Sequence, residues 1–265
     1  MSRITTSTLR KMKQDGDKIA CLTGYDASFA RILDEAGVDI VLVGDSLGMV
    51  VQGRDSTLPV TLGDMVYHSQ LVSHACQRAL VMADMPFMTY MNANQALASA
   101  GRLMKEGGAQ MVKLEGGAPM VSTVQALAEH GIPVCAHLGL LPQSVNKLGG
   151  YKVQGRDDKS AHAMIADARA MEDAGADMLL LECVPSALAA EISHALEIPV
   201  IGIGAGPGCD AQVLVLYDML GITSGKRPRF VKDFLQQGGD VRGAVAAYVK
   251  AVKEGAFPGG EHSFE

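Results

Sequence analysis

The chain has 265 residues, 48% hydrophobic and 20% charged, with a net charge of −6, a soluble globular profile large enough for one big domain or two small ones. It carries no basic stripe, which argues against nucleic acid, and no apolar stretch long enough for a bilayer. The start, MSRITTSTLRKMKQDG, lacks the apolar run of a signal peptide, so a cytoplasmic location is expected.

In chain order, residues 1–18 read as a helix covering the floor of the fold. Apolar strands then start near Ile19, Ile40, Leu80, Gln110, Pro133, Met178, Pro199 and Gln212. Helical patterns fill residues 28–36, 64–79, 94–106, 120–130, 160–174 and 186–196, and Thr61-Leu-Gly-Asp64 reads as a capping box. A weak repeat punctuates this order. Glu35-Ala-Gly37, Glu106-Gly-Gly108, Glu129-His-Gly131 and Asp173-Ala-Gly175 each close a helical pattern with a glycine able to turn left-handed. The runs IVLVGD, MVKLEGG, PVCAHLG and MLLLECV are nearly continuous in apolar character, as parallel strands covered on both faces require. The pattern predicts a single (β/α)8 TIM barrel over residues 1–265 with an extra N-terminal helix and C-terminal helices in 230–255. A doubly wound open sheet is the runner-up, since closure cannot be seen in a sequence. Residues 45–59 and 141–159 form long loops after the second and fifth strands, the latter placed to act as a lid. Arg54 and Asp55 in the first loop are candidates to pair with each other. The scattered cysteines form no CxxC pair and no disulfide framework, and Cys135 and Cys183 read as core residues of buried strands.

Four acids, Asp45, Asp84, Glu115 and Glu182, end four separate strands. A charge at the end of an apolar run costs free energy unless a cation, donor or water compensates it, so four such endings point to one shared site; helix capping accounts for one or two. Asp45, Asp84 and Glu115 offer hard oxygen ligands without clustered His or Cys, which favours Mg²⁺ over zinc, with direct ligation by all three left open. Lys113 lies two residues before Glu115 and shares its face; it serves either a substrate carboxylate or oxyanion, or a salt bridge to Glu115. His137 is either a donor to substrate or a structural hydrogen-bonder, and Ser46 either an anion contact or a cap. Glu182, flanked by apolar residues and other acids, is the candidate general base. Ile201-Gly-Ile-Gly-Ala-Gly206 is a poor dinucleotide fingerprint and marks close backbone approach or a tight turn.

The segments LVGDSLGMVVQGRDSTLPVT, ADMPFMTY, MVKLEGG, PVCAHLGLLPQSVNKLGGYKVQGR, LLLECVP, PVIGIGAGPGCDAQVLVLYDMLG and GEHSF span nearly the whole chain, and in that order they resemble the ketopantoate hydroxymethyltransferase family. LTGYD around Tyr25 and residues 224–229 are less typical of it. The resemblance implies a magnesium-dependent barrel enzyme of pantothenate biosynthesis. It would take 3-methyl-2-oxobutanoate and 5,10-methylenetetrahydrofolate to 2-dehydropantoate and tetrahydrofolate, and it would assemble as a homodecamer. It places Asp45, Asp84 and Glu115 at the metal and Asp45, Ser46, Asp84, Lys113 and His137 around the 2-oxo acid. Glu182 falls on the proton acceptor. A 2-oxo acid chelated by Mg²⁺ gives a stabilised enolate once its C3 proton leaves, which suits these residues; Met49, Met82 or Met85 would line a pocket for its isopropyl group. Two rivals remain: a lyase of the phosphoenolpyruvate mutase and isocitrate lyase type, which uses a cysteine-bearing loop that these long loops lack, and a non-catalytic metabolite-binding barrel, which needs no base.

Overall fold

In the computed structural model, which describes residues 3–223, 225 and 227–265, eight parallel strands close into a barrel in sequential order. The elements are α1 (Thr6–Asp15), β1 (Ile19–Thr23), α2 (Ala27–Glu35), β2 (Ile40–Val43), α3 (Leu62–Ala75), β3 (Leu80–Asp84), α4 (Ala93–Lys105) and β4 (Met111–Glu115). They continue with α5 (Val121–Glu129), β5 (Val134–Gly139), α6 (Asp158–Asp173), β6 (Met178–Glu182), α7 (Ser186–Ala195), β7 (Val200–Ile203), β8 (Ala211–Leu214) and α8 (Val241–Lys253). Closure is carried by β1 pairing with both β2 and β8, so the open sheet is excluded. Residues 204–210 join β7 to β8 without a helix among the assigned elements. There Gly204 and Gly206 take φ of 61° and 79°. A Cβ on Gly204 would lie 2.9 Å from Phe230 and one on Gly206 2.3 Å from Ser186 Oγ, so this glycine motif serves close packing.

The helix ends follow the repeat: Gly37, Gly108, Gly131 and Gly175 all have positive φ. Helix α3 stops earlier than its apolar pattern suggests. The carboxylate of Asp34 accepts the backbone N–H groups of Gln77, Arg78 and Ala79, which holds that segment out of the helix. The C-terminal helix α8 packs on β1 and α2, where Tyr248 Oη lies 2.9 Å from both Cys21 O and Gln212 O.

Inside the barrel the strand period of two stacks an apolar plug. Ile19, Cys21, Ile40, Leu42, Leu80, Met82, Met111, Cys135, Met178, Leu180, Ile201, Ile203, Ala211 and Val213 form one buried cluster. Ile4 and Leu9 join it from the N-terminal segment, so α1 covers the floor as expected; residues 1 and 2 of the expected helix lie outside the described residues. Further up the same inward face come Asp84 above Met82, Lys113 and then Glu115 above Met111, His137 above Cys135, and Glu182 above Leu180. The polar site is therefore the top layer of the plug.

Candidate active site

Asp84, Glu115 and Glu182 are the last residues of β3, β4 and β6, and Asp45 follows β2 after Gly44. A Cβ on Gly44 would sit 2.8 Å from Ser46 Oγ and 3.6 Å from Asp84 Oδ2, so its absence lets this turn fold over the mouth. Asp45 N–H donates to Asp84 Oδ2 at 3.0 Å. Lys113 Nζ lies 2.9 Å from Asp84 Oδ1 and 3.3 Å from His137 Nδ1. His137 Nε2 lies 3.5 Å from Glu182 Oε2, and Ser46 Oγ is 2.9 Å from Tyr25 Oη. Asp45, Asp84, Lys113, His137 and Glu182 thus form one connected chain of side chains, Glu115 Oε1 lies 3.7 Å from His137 Nδ1, and Ser46 follows Asp45 in the turn with its hydroxyl on Tyr25. Lys113 pairs with Asp84 across the strands, so of its two possible roles the salt bridge to Glu115 gives way to a cross-strand one with Asp84.

The electrostatics are those of too many acids for one ammonium. Burial, followed by the Asp84 charge, pushes the Asp45 carboxyl up to about 7. Burial also holds Glu115 well above the usual carboxylate range. Glu182 retains 15% of its side-chain surface; burial pushes it up to about 8, Lys113 opposes this, and Asp45 and Asp84 add to it. For Lys113, burial works against the charge, but Asp84, Glu115 and Asp45 outweigh it and keep the ammonium protonated. Burial and the Lys113 charge drive His137 well below its ordinary value, so the imidazole is neutral. With Nδ1 accepting from Lys113, the remaining proton is assigned to Nε2, on the Glu182 side.

Sequence reasoning missed Gln143, Tyr90 and Tyr25. Gln143 Nε2 donates to Asp45 Oδ2 at 2.9 Å, and its backbone N–H donates to Glu115 Oε2 at 3.0 Å. Tyr90 Oη lies 2.5 Å from Gln143 Oε1 and accepts from Glu115 N–H at 3.3 Å. No spacing rule reaches these residues, because each comes from a loop whose path only the closed barrel defines. The segment after β5 is not a plain polar loop: it holds short helical turns at Pro142–Ser144 and Val145–Leu148 and sits over the acids. Tyr151 Oη, 3.7 Å from Met49 Sδ, joins it to the segment after β2, which holds a short helix at Leu47–Val50. A rim cavity of about 210 Å³, lined by Met49, Val50, Tyr217, Ile222 and Thr223, lies beside these loops rather than at the acids.

Three expectations change. Arg54 donates to Gln52 Oε1, not to Asp55. Cys183 is buried but lies one residue past β6, at φ 50°, left-handed for a side-chain-bearing residue next to Glu182. Met82 and Met85 are fully buried and Met49 stands on the rim; Leu42, Ile203 and Val213 are the uppermost inward apolar residues instead.

A closed parallel barrel with acids, an ammonium and an imidazole at the carboxyl ends of its strands defines a barrel enzyme with its site at the mouth. Comparison with known proteins narrows this. The profile described as ketopantoate hydroxymethyltransferase matches residues 3–260. The 3-methyl-2-oxobutanoate hydroxymethyltransferase of Halorhodospira halophila (strain DSM 244 / SL1) is 59% identical over 262 residues, covering 99% of this chain and 95% of that one. The chain belongs to the ketopantoate hydroxymethyltransferase family. Among solved structures, 2,3-dimethylmalate lyase, a PEP mutase/isocitrate lyase superfamily member, has a TM-score of 0.61 at 19% identity, covering 89% of this chain and 85% of its own. Phosphonopyruvate hydrolase, solved with oxalate and Mg²⁺, has a TM-score of 0.63 at 12% identity, covering 99% and 93%. At such identities the likeness is one of fold.

Proposed function

We propose that this protein transfers a hydroxymethyl group from 5,10-methylenetetrahydrofolate to C3 of 3-methyl-2-oxobutanoate, consuming water and releasing 2-dehydropantoate and tetrahydrofolate. The observation that carries this reading is Glu182, a carboxyl group pushed up to about 8, set 3.5 Å from a neutral imidazole at the edge of an acid cluster. A basic carboxylate is what removal of a weakly acidic C–H proton needs.

Asp45, Asp84 and Glu115 are the residues to hold Mg²⁺. Their donor set is all oxygen, and four carboxyl groups face a single ammonium. Among the described residues Glu115 Oε1 is buried without a hydrogen-bond partner, and Asp84 Oδ1 has only the Lys113 ion pair. Among the described residues no three His, Cys, Asp or Glu groups already converge on one ion position. Magnesium requires only one or two carboxylates beside substrate and water, so the set fits. When bound, the cation stabilises negative charge developing on the oxygens of the 2-oxo acid.

The remaining roles belong to the chain. Lys113, held as an ammonium, pairs with the substrate carboxylate, and Ser46 Oγ, oriented by Tyr25, donates to the same end. Glu182 takes the C3 proton while the Nε2 proton of His137 steadies the carboxylate. Water opens the methylene bridge of the folate, breaking both C–N bonds to release tetrahydrofolate and formaldehyde; the deprotonated C3 adds to the formaldehyde carbon, and the resulting alkoxide takes the proton back from Glu182 to become the hydroxymethyl group. Leu42, Ile203 and Val213 receive the isopropyl group. The segment after β5 excludes water from the acids. We place the protein in the cytoplasm as a homodecamer, as the family resemblance implies; Tyr67, Phe87, Met88 and Met91 on α3 and the segment after β3 are exposed apolar side chains that contact between copies would cover.

Proton NMR of 3-methyl-2-oxobutanoate in deuterated water tests the reading. Mg²⁺-dependent loss of the C3 hydrogen signal is expected without folate, and 2-dehydropantoate on adding it. A wild-type protein giving neither outcome overturns the assignment.

A further inference from the structure

Gln143 is 5% exposed, and each of its side-chain polar atoms is engaged. Nε2 donates to Asp45 Oδ2 at 2.9 Å and to Met85 O at 3.0 Å, while Oε1 accepts from Tyr90 Oη at 2.5 Å. Its backbone N–H donates to Glu115 Oε2 at 3.0 Å. The orientation of the amide follows from its partners. Tyr90 Oη already accepts from Glu115 N–H, so its one proton points to Gln143 Oε1, and two acceptors remain for Nε2. One residue of the segment after β5 therefore ties one oxygen of each of two carboxylates, from β2's turn and from β4. Glu115 Oε1 is left with no hydrogen-bond partner among the described residues.

We propose that Gln143 is the positioning residue of the cation site, fixing Asp45 and Glu115 so that their second oxygens face one ion, and that seating of the β5 segment thereby completes the site. The proposal rests on the reading of these acids as magnesium ligands. An amide is suited to the task because it donates to a carboxylate and accepts from a phenol at once; neither a hydrocarbon nor a carboxylate side chain does both. Partners that orient metal ligands commonly alter metal affinity 10–100-fold when removed.

The test is Mn²⁺ binding to the metal-stripped protein without substrate, read from the paramagnetic resonance signal of free Mn²⁺, alongside the thermal midpoint of each apo form. Gln143→Met keeps length and backbone N–H but loses the amide, and should weaken binding by roughly 10–100-fold. Tyr90→Phe keeps Gln143 but frees its amide to turn, and should weaken binding by a smaller factor in the same direction. Wild-type affinity in folded Gln143→Met, with or without a lowered midpoint, overturns the proposal and leaves the magnesium reading intact. Absence of Mn²⁺ binding in the wild type overturns that reading first and this one with it. Should Gln143→Met fail to fold, Tyr90→Phe decides: weakened binding supports the proposal, and unchanged binding overturns it.

Discussion

The two ends of the barrel bury acids in opposite ways. At the base, before β2, the Asp39 carboxylate meets Arg78 Nη2 at 2.7 Å, Lys253 Nζ, and the Ala20 N–H at 3.0 Å. Two cations and a backbone donor serve one carboxylate, and they tie α8 and the start of β3 to the barrel. At the mouth, among the described residues, four carboxyl groups share one ammonium, and one oxygen of Glu115 goes without a donor. A buried charge fully compensated by the chain is structural. One that the chain leaves undercompensated is a standing cost, retained where a ligand completes it.

The sharpest way to break this comparison is to remove one acid from each end. Glu182→Gln should slow C3 hydrogen exchange by about 10²–10⁴-fold, the usual worth of a general base, with the thermal midpoint held or raised. Exchange near the wild-type rate would mean that another group takes the proton. Asp39→Ala should do the reverse. Stranding Arg78 and Lys253, both partly exposed, puts the loss near the low end for a broken buried pair, about 3 kcal/mol, or roughly 6–12 °C in a domain of this size. The exchange rate per folded molecule should not change, and calorimetry beside the NMR assay separates the two effects.

Titration sharpens the contrast further. Asp45, Glu115 and Glu182 have folded pKa values raised above those of the unfolded chain. For Asp45 and Glu182 the folded state thus holds extra protons from about pH 4 up to about 7 and about 8, with Glu115 acting in the same direction, and stability contributed by the neutral forms is lost as pH rises. The metal-stripped protein should melt several degrees lower at pH 8 than at pH 6. Mg²⁺ should recover more of the midpoint at pH 8, where fewer protons compete with it for the carboxylates; equal recovery at both values would show that the ion does not bind these groups. Base catalysis by Glu182 requires its ionised form, so exchange should rise with pH and level off at or below about 8 once a cation is bound.

These contrasts show why part of the molecule was legible in its sequence. The apolar runs ending in Asp84, Glu115 and Glu182 gave both the strands and their inward face, because a period of two carries the core pattern up to the site. The glycines closing α2, α4, α5 and α6 marked the repeat. Closure did not show, since β1 pairing with β8 is a contact between the ends of the chain. Nor did Gln143 or Tyr90, whose partners lie 98 and 53 residues away on other loops. Arg54 illustrates the converse: adjacency to Asp55 suggested a pair, but the backbone turned Arg54 toward Gln52.

The smallest expected effect lies outside both ends, at the start of α3. Thr61 Oγ1 accepts from Asp64 N–H at 3.1 Å, and Asp64 Oδ2 accepts from Thr61 N–H at 2.9 Å. Thr61→Ala should cost about 1 kcal/mol at neutral pH, the typical value for an N-cap, and leave hydrogen exchange untouched. Its pH dependence should run opposite to that of the mouth. Although partial burial opposes it, hydrogen bonding from the Thr61 N–H and hydroxyl lowers the Asp64 pKa. That stability is present above the ordinary carboxylate range and fades as pH falls through the folded value. The midpoint difference between wild type and Thr61→Ala should therefore shrink below about pH 4, the side on which the mouth acids are most comfortable. A difference that stays constant across that range would show that the Thr61 hydroxyl adds nothing to the ionised Asp64, whose bond from the residue 61 backbone N–H survives the substitution.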